Sequence, residues 1–317
     1  MRKNINTAHV EGRVYQHSLE LKIVQNAQSA NYGKQFINGK LEIAVDDAGL
    51  EVIPVNFTYV TETTAKGGKN KTYAELLNII NNGKTVMADG LEMATKVSVD
   101  TAVDLNDFYT DDGLVSQQIL NGGFVSAVSE LKKEGRTAFK TDMVITNINR
   151  VEADPDRFID ADYVTVRGVV FNFRNAILPV EFVVKNEHGM KYFEDLEVSS
   201  GEPLYTQVWG HMNFVPRKET KTEESAFGEP AVVVRERKVK EFVITGALKV
   251  PYDLGDENVM TMDDLVKASQ DREMYLADVK KKREEYMAQK NSAAATAPSA
   301  FGVPTPTAPV TAGKFSF

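Results

Sequence analysis

Apolar and polar residues alternate with a period of two along most of the first 250 residues, the pattern of strands with one buried face. "HVEGRVYQ" is followed by "LELKIV", where Leu19, Leu21 and Ile23 alternate with Glu20, Lys22 and Val24. "NAQSANYGKQ", residues 26–35, is polar and Gly-containing and predicts a loop projecting from a hairpin. "INGKLEIAV" resumes the alternation, with Ile37, Gly39, Leu41, Ile43 and Val45 on one side. "DDAG" predicts a turn, since Asp bonds its own backbone and Gly tolerates positive φ. The run from Glu51 to Val60 then closes a meander. On that strand, strict alternation puts Ile53, Val55, Phe57 and Tyr59 on one face; Phe57 reads as core, and Tyr59, nearer the strand end, as the better exposed ring.

The period changes at "TYAELLNIINNG". Tyr73, Leu76, Leu77 and Ile80 recur at helical spacing, with Thr72 as the expected cap and Gly83 as the stop. "KVSVDTAVDL" predicts extended chain. In "GLVSQQILNGGFVSAVSELKKEG" the paired glycines Gly122 and Gly123 argue against one continuous helix. Met143 to Ile148 predicts another strand, before a Pro-containing boundary near Asp154–Asp156. From about Phe158, "ADYVTVRGVVFNFRN", "AILPVEFVVKNEHGMKYFEDLEV", "LYTQVWGHMNFV" and "KVKEFVITGALKV" predict a second set of strands. Residues 216–230, "PRKETKTEESAFGEP", predict a mobile loop. From Thr261 the chain predicts one surface helix, or two with a break near Ala268–Asp271. The stretch 291–317 is Ala/Pro/Thr-rich and predicts disorder.

These shifts divide the chain into 1–155 with an inserted helix, a second β region at 156–255, a helical segment at 256–290 and a tail at 291–317. "VEGRVY" (Val10–Tyr15) echoes "VRGVVF" (Val166–Phe171), which sets a tandem duplication beside coincidence. Gly12 and Gly168 suit a first strand that bends to pair with neighbours at both ends, as a small five-stranded barrel requires. A helix after a three-strand meander is where an OB barrel carries its plug. The expected fold is therefore mostly β: two OB-like small barrels, a C-terminal helix and a disordered tail.

Composition narrows the chemistry. The chain has 317 residues, no cysteine, four histidines and a formal net charge of −8. Without cysteine there are no disulfides, thiolate nucleophiles or thiolate metal sites, and the four histidines show no H-E-x-x-H grouping. No metal and no cofactor is expected. No run reaches the roughly 18 apolar residues of a membrane span, and the first residues lack the apolar core of a secretory signal. A cytoplasmic protein is expected, in the host cytoplasm if it is phage-encoded. There is no Walker loop, G-x-G-x-x-G or G-x-S-x-G, and adjacent Asp pairs such as Asp46–Asp47 read as turn formers. The expectation is no enzyme.

Rings interleaved with cations point to a flat, anionic ligand, because bases stack on rings while phosphates sit by ammonium groups. The candidates are Arg13 and Tyr15 on the first strand, Tyr32, Lys34 and Phe36 around the first loop, and Tyr59. The basic arm adds Lys66, Lys69 and Lys71; the second region adds Phe173, Arg174 and Trp209. For the arm, a solvated loop is an equally good reading; for the rings, burial in a core or at subunit contacts is the competing one.

Val10, Gly12 and Arg13 in a first strand, the long-looped hairpin after it and a Pro-rich tail ending in "KFSF" resemble the single-stranded DNA-binding proteins of bacteria and phages. The resemblance implies OB folds that bind single strands without sequence preference, in replication, recombination or repair. It also implies a tail whose Phe315 and Phe317 contact replication or recombination proteins. It leaves a homo-oligomer open. Where the family tip is acidic, this one carries Lys314. Two other readings stand beside it: a phage structural or assembly protein with two β domains, and a metal-dependent nucleic-acid enzyme with carboxylates gathered by the fold.

Overall fold

In the computed structural model the described residues are 3–154, 159–198, 201–223, 227, 231–254 and 260–296, with 217–223, 231–237 and 291–296 described by backbone alone. The strands are β1 (Asn6–His17), β2 (Glu20–Ile23), β3 (Gln35–Ala44), β4 (Val52–Thr61), β5 (Lys96–Thr110), β6 (Gly113–Ala127), β7 (Ala138–Val151), β8 (Tyr163–Phe171), β9 (Ile177–Val184), β10 (Leu204–Glu223) and β11 (Ala231–Ala247). The helices are α1 (Lys71–Asn82), α2 (Val86–Asp89), α3 (Glu187–Glu194) and α4 (Met262–Thr296).

The expectation of two small OB-like barrels is corrected: the strands form one eleven-stranded sheet in the order β10-β11-β9-β8-β7-β1-β5-β6-β4-β3-β2. The reason is the middle of the sheet. There β7 bonds β1 over Asn6↔Thr141 to Ala8↔Phe139, so the hydrogen-bond ladder runs on from one set of strands to the other. Additional pairings β1–β3 and β10–β7 make the sheet curl back on itself at two places. The main core is likewise continuous, joining Val10, Ile43, Phe57 and Leu76 to Phe139, Phe182 and Phe242. Each such side chain, fully buried, contributes about 1.5–3 kcal/mol. A smaller cluster, Val144, Phe171, Ile177, Tyr205 and Met260, lies under the start of α4.

Several local expectations change. Asn70, not Thr72, caps α1: its side chain accepts from the Thr72 backbone N–H at 3.1 Å, while the Thr72 hydroxyl donates to the Gly123 carbonyl. The glycine-broken stretch is a strand, β6. Of the loop expected at 216–230, residues 216–223 are ladder, since β10 and β11 stay paired from Val208↔Ala247 out to Glu223↔Ala231; 224–226 and 228–230 lie outside the described residues. The C-terminal segment is one unbroken helix. It starts with a reciprocal cap, Thr261 Oγ1 accepting from the Asp264 N–H and the Asp264 carboxylate accepting from the Thr261 N–H. Its apolar stripe is thin, and α4 is held instead by Arg272, which donates to both oxygens of Asp107 at 3.0 and 3.3 Å, and by Arg283 on the Thr110 carbonyl. The tail with Phe315 and Phe317 lies outside the described residues.

Candidate nucleic-acid interface

The parity of β4 decides which rings face out. Across β3–β4, Ile37 pairs with Val60 but Gly39 with Phe57, so β4 carries one extra residue opposite Asn38. A bulge of this kind reverses the faces beyond it. Phe57 therefore points into the core and is buried, whereas Tyr59 turns outward and is 47% exposed. Without the bulge, strict alternation would place both rings on one side. Tyr59 instead meets Phe36 on the outer surface, ring centroids 4.7 Å apart and tilted by 40°.

The polar shell around this ring pair comes from three strands. Lys22 of β2 is the cross-strand partner of Phe36, and its ammonium lies 3.1 Å from Glu20. On β3, Phe36, Asn38, Lys40 and Glu42 share the outer face, because Ile37, Leu41 and Ile43 between them are buried. Asn38 donates to the Thr58 carbonyl at 2.7 Å. The 24–34 loop is built of successive turns, with Tyr32 N–H donating to the Ser29 carbonyl and Lys34 N–H to the Asn31 carbonyl. It presents Tyr32 at 62% exposure, while the Lys34 ammonium rests on Asn31 at 3.1 Å. The basic arm springs from the same end of the sheet. Thr61, paired with Phe36, is followed by a small hairpin in which Thr63 bridges Lys69, and Lys66, Lys69 and Lys71 are all exposed. Tyr32, Lys34, Phe36, Tyr59 and the three arm lysines are thus placed around one end of β3–β4.

Arg13 and Tyr15 are placed differently. The Arg13 guanidinium is only 14% exposed and lies 3.9 Å from Asp47, which is held more closely by Arg136 at 2.8 Å. The Arg136 hydrogen bond and charge keep the Asp47 carboxyl below the usual carboxylate range. Tyr15 is the extra residue of the β1–β3 bulge between Val14 and Gln16 and is half-buried.

The second-region candidates divide as well. Phe171 and Phe173 do not share a strand face: β8 ends at Phe171, which is core, and Phe173 sits in a turn tied by Asn172, whose carboxamide oxygen accepts from the Arg174 and Ala176 N–H groups. Phe173 is 83% exposed, with the Arg174 guanidinium 5.1 Å from its ring centroid. It borders an open groove of about 730 Å³ whose other walls include Phe124, Lys140, His9 and Asp100. Phe124 is 74% exposed. Trp209 is paired across β7–β10 with Lys140 and lies flat over Gly246, where a Cβ would come within 2.5 Å of its indole nitrogen. Tyr205, Gln207 and Trp209 follow one alternation, yet Tyr205 and Gln207 are buried, with Gln207 donating to Asp142 at 2.7 Å.

Sequence reasoning missed Phe124, Lys22, Lys40, Lys140, Lys238 and Lys240. A signal existed for three of them: Phe124 and Ser126 alternate with buried Val125, and Lys238 and Lys240 flank Val239 on one strand face.

A family model named YorF matches residues 4–282. The chain belongs to the YorF family. No curated protein matches. Among solved structures there is a weak resemblance to the wild-type single-stranded DNA binding protein from Thermus aquaticus and to a deletion mutant of it. Each is 12% identical with a TM-score of 0.46 over 80% of this chain, covering 96% and 98% of those chains respectively. Among the described residues of this YorF-family chain, no group of acidic and histidine side chains has the arrangement of a metal site, and no helix is long and apolar enough to cross a membrane.

Proposed function

We propose that this protein binds single-stranded nucleic acid, without sequence preference and without catalysis, in replication, recombination or repair. The observation that carries the reading is the Phe36–Tyr59 pair: Phe36 lies on the outer face of β3 with Asn38, Lys40 and Glu42, and the β4 bulge turns Tyr59 out beside it. A core-facing Tyr59 would need no bulge, and the outward Tyr59 leaves 47% of its surface in water. Bases stack on such rings at about 1–3 kcal/mol each, and neighbouring ammonium groups take the phosphates. The exposure of Tyr32, Phe173 and Trp209 adds rings at further points of the surface and speaks against their burial in the core of this chain. An acidic chain of net charge −8 accommodates this because the lysines of the face are local. Phe315 and Phe317 remain the proposed contacts to partner proteins.

The test is titration with fluorescein-labelled oligo-dT, read by anisotropy, together with quenching of the single tryptophan. The whole protein should bind, with affinity falling steeply as salt rises. Phe36→Leu with Tyr59→Leu should weaken binding by about ten-fold or more at constant stability, given the stacking range above. No retention of the oligonucleotide at low salt by the intact protein overturns the reading.

A further inference from the structure

Lys40 lies on the same face of β3 as Phe36, four residues along, so about 13 Å from the ring pair at the usual strand rise. At that point the outer face of β3 and β4 meets β10 and β11. A small cavity of about 100 Å³ is lined there by Lys40, Glu42, Pro54, Phe214, Lys238 and Lys240. The frame is firm: Phe214 is buried, and its backbone N–H donates to the Glu51 side chain at 2.9 Å, tying β10 to the residue that leads into β4. Lys238 and Lys240 stand two apart on β11, opposite Pro216 and Phe214.

The charge in this cavity does not balance. Among the described residues, Glu42 is the one carboxylate of its walls, and it is engaged by Lys40 at 2.9 Å and by the Gln16 amide at 2.7 Å. Among the described residues, neither the Lys238 nor the Lys240 ammonium makes an ion pair or hydrogen bond. Partial burial, and then the nearness of Lys40 and Lys238, push the Lys240 ammonium below its ordinary pKa. Burial pushes the Glu42 carboxyl up, but Lys40, Gln16 and Lys238 outweigh it and leave it net lowered. Three cations against one anion, partly screened from water, is an arrangement that an anion of charge −1 to −2 would relieve.

We infer that Lys40, Lys238 and Lys240 form a phosphate-binding site. Resting on the nucleic-acid reading, its occupant is a backbone phosphate of the strand that stacks on Phe36 and Tyr59, so that one strand crosses from β3 onto β11. Lysine suits this role, since a mobile point charge holds a phosphodiester whatever base it carries.

The experiment compares the intact protein with Lys238→Gln/Lys240→Gln and with Lys238→Arg/Lys240→Arg, each checked for unchanged thermal stability. In oligo-dT titrations across a salt series, loss of this one phosphate contact should make the plot of log K against log salt shallower by about 0.7. The arginine variant should keep the slope, and Phe36→Leu should lower affinity while leaving the slope alone. Oligonucleotide binding with an unchanged slope in the glutamine variant overturns the site. A second arm uses inorganic pyrophosphate at constant ionic strength, with ³¹P line broadening as the readout. Should the intact protein fail to bind oligo-dT yet broaden pyrophosphate in a way the glutamine variant does not, the phosphate site stands and the strand reading falls. If neither oligo-dT nor pyrophosphate distinguishes the variants, the site is refuted.

Discussion

Two sets of strands in this sheet carry the same cycle of pairings. In the first, β1 bonds β3, β3 bonds β4, β4 runs parallel to β6, β6 bonds β5 and β5 returns to β1. In the second, β7, β8, β9, β11 and β10 repeat the cycle, again with one parallel step, β9–β11. A helix follows the third strand in both, α1 and α3. The bulges agree too, between Val14 and Gln16 on β1 and between Ile145 and Asn147 on β7. The glycines do not. A Cβ at Gly12 of β1 would lie 2.1 Å from the Ala44 carbonyl oxygen of β3; at the matching crossing the glycine is on the other strand, Gly168 of β8 against Val144 of β7. The same exchange occurs at the far crossing, where Gly123 of β6 opposes Asp100 and Gly210 of β10 opposes Val243. Close approach of two backbones demands one missing side chain, and either strand can supply it. The echo between "VEGRVY" and "VRGVVF" thus comes from non-equivalent strands, β1 and β8, that answer the same steric demand.

The junction of the two sets is reciprocal. Glu11 and Asp142 each lie three residues before the bulge of β1 and β7, and both are buried. Glu11 accepts from the Lys132 backbone N–H, and its own N–H donates to Arg136, in the segment leading into β7. Asp142 accepts from the Ile5 N–H at 2.7 Å, and its own N–H donates to the Ile5 carbonyl, in the segment leading into β1. Each set uses a carboxylate to hold the entry of the other.

The largest effect expected on this comparison is at the crossings. Gly12→Ala and Gly168→Ala should each cost roughly 4 kcal/mol in urea unfolding, because the clash is with backbone and not with a side chain that can turn away. A loss under about 0.5 kcal/mol at either one would mean that the crossing relaxes and the two glycines are not doing the same job.

Next is the asymmetry introduced by α4, which is clamped to the β5–β6 hairpin. Arg272 is 11% exposed and Asp107 only 2%. Arg272→Met leaves that carboxylate buried without its cation and should cost about 3 kcal/mol. Hydrogen exchange should then show α4 opening ahead of β5. Exchange along α4 and β5 unchanged from that of the intact protein would place the helix anchor elsewhere.

The smallest effect is in acid. Burial pushes the Glu11 carboxyl up, but the Lys132 N–H, the Lys132 ammonium and His9 outweigh it, so its pKa in the fold lies below 4.5. A carboxyl lowered on folding contributes stability that is complete above its unfolded pKa and is lost as pH falls through the folded value. Stability should decline below about pH 4.5 in the intact protein, and Glu11→Gln should flatten that decline by up to about 1 kcal/mol. Parallel acid limbs for the two proteins would remove Glu11 from the account.

Period and punctuation in the amino-acid sequence established several elements but not all: Glu187–Glu194, expected as strand, is the helix α3, and 216–223, expected as loop, is ladder. The alternation at 37–45 and 51–57, the helical spacing from Tyr73 to Ile80 and the class change at Thr261 rest on local chain geometry, and β3, β4, α1 and α4 follow them. Phe57 could be assigned to the core because it continues an apolar face. What the sequence could not show is pairing, since hydrogen bonds between distant strands leave no local mark. That β1 and β7 bond to each other, making one sheet, was decided only when the chain closed on itself. The outward turn of Tyr59 has the same cause: alternation predicts it inward, and only the register against Asn38 inserts the extra residue. The lysine cavity is the extreme case, because Lys40 lies about two hundred residues from Lys238 and Lys240. Their excess charge exists only where β3 meets β11.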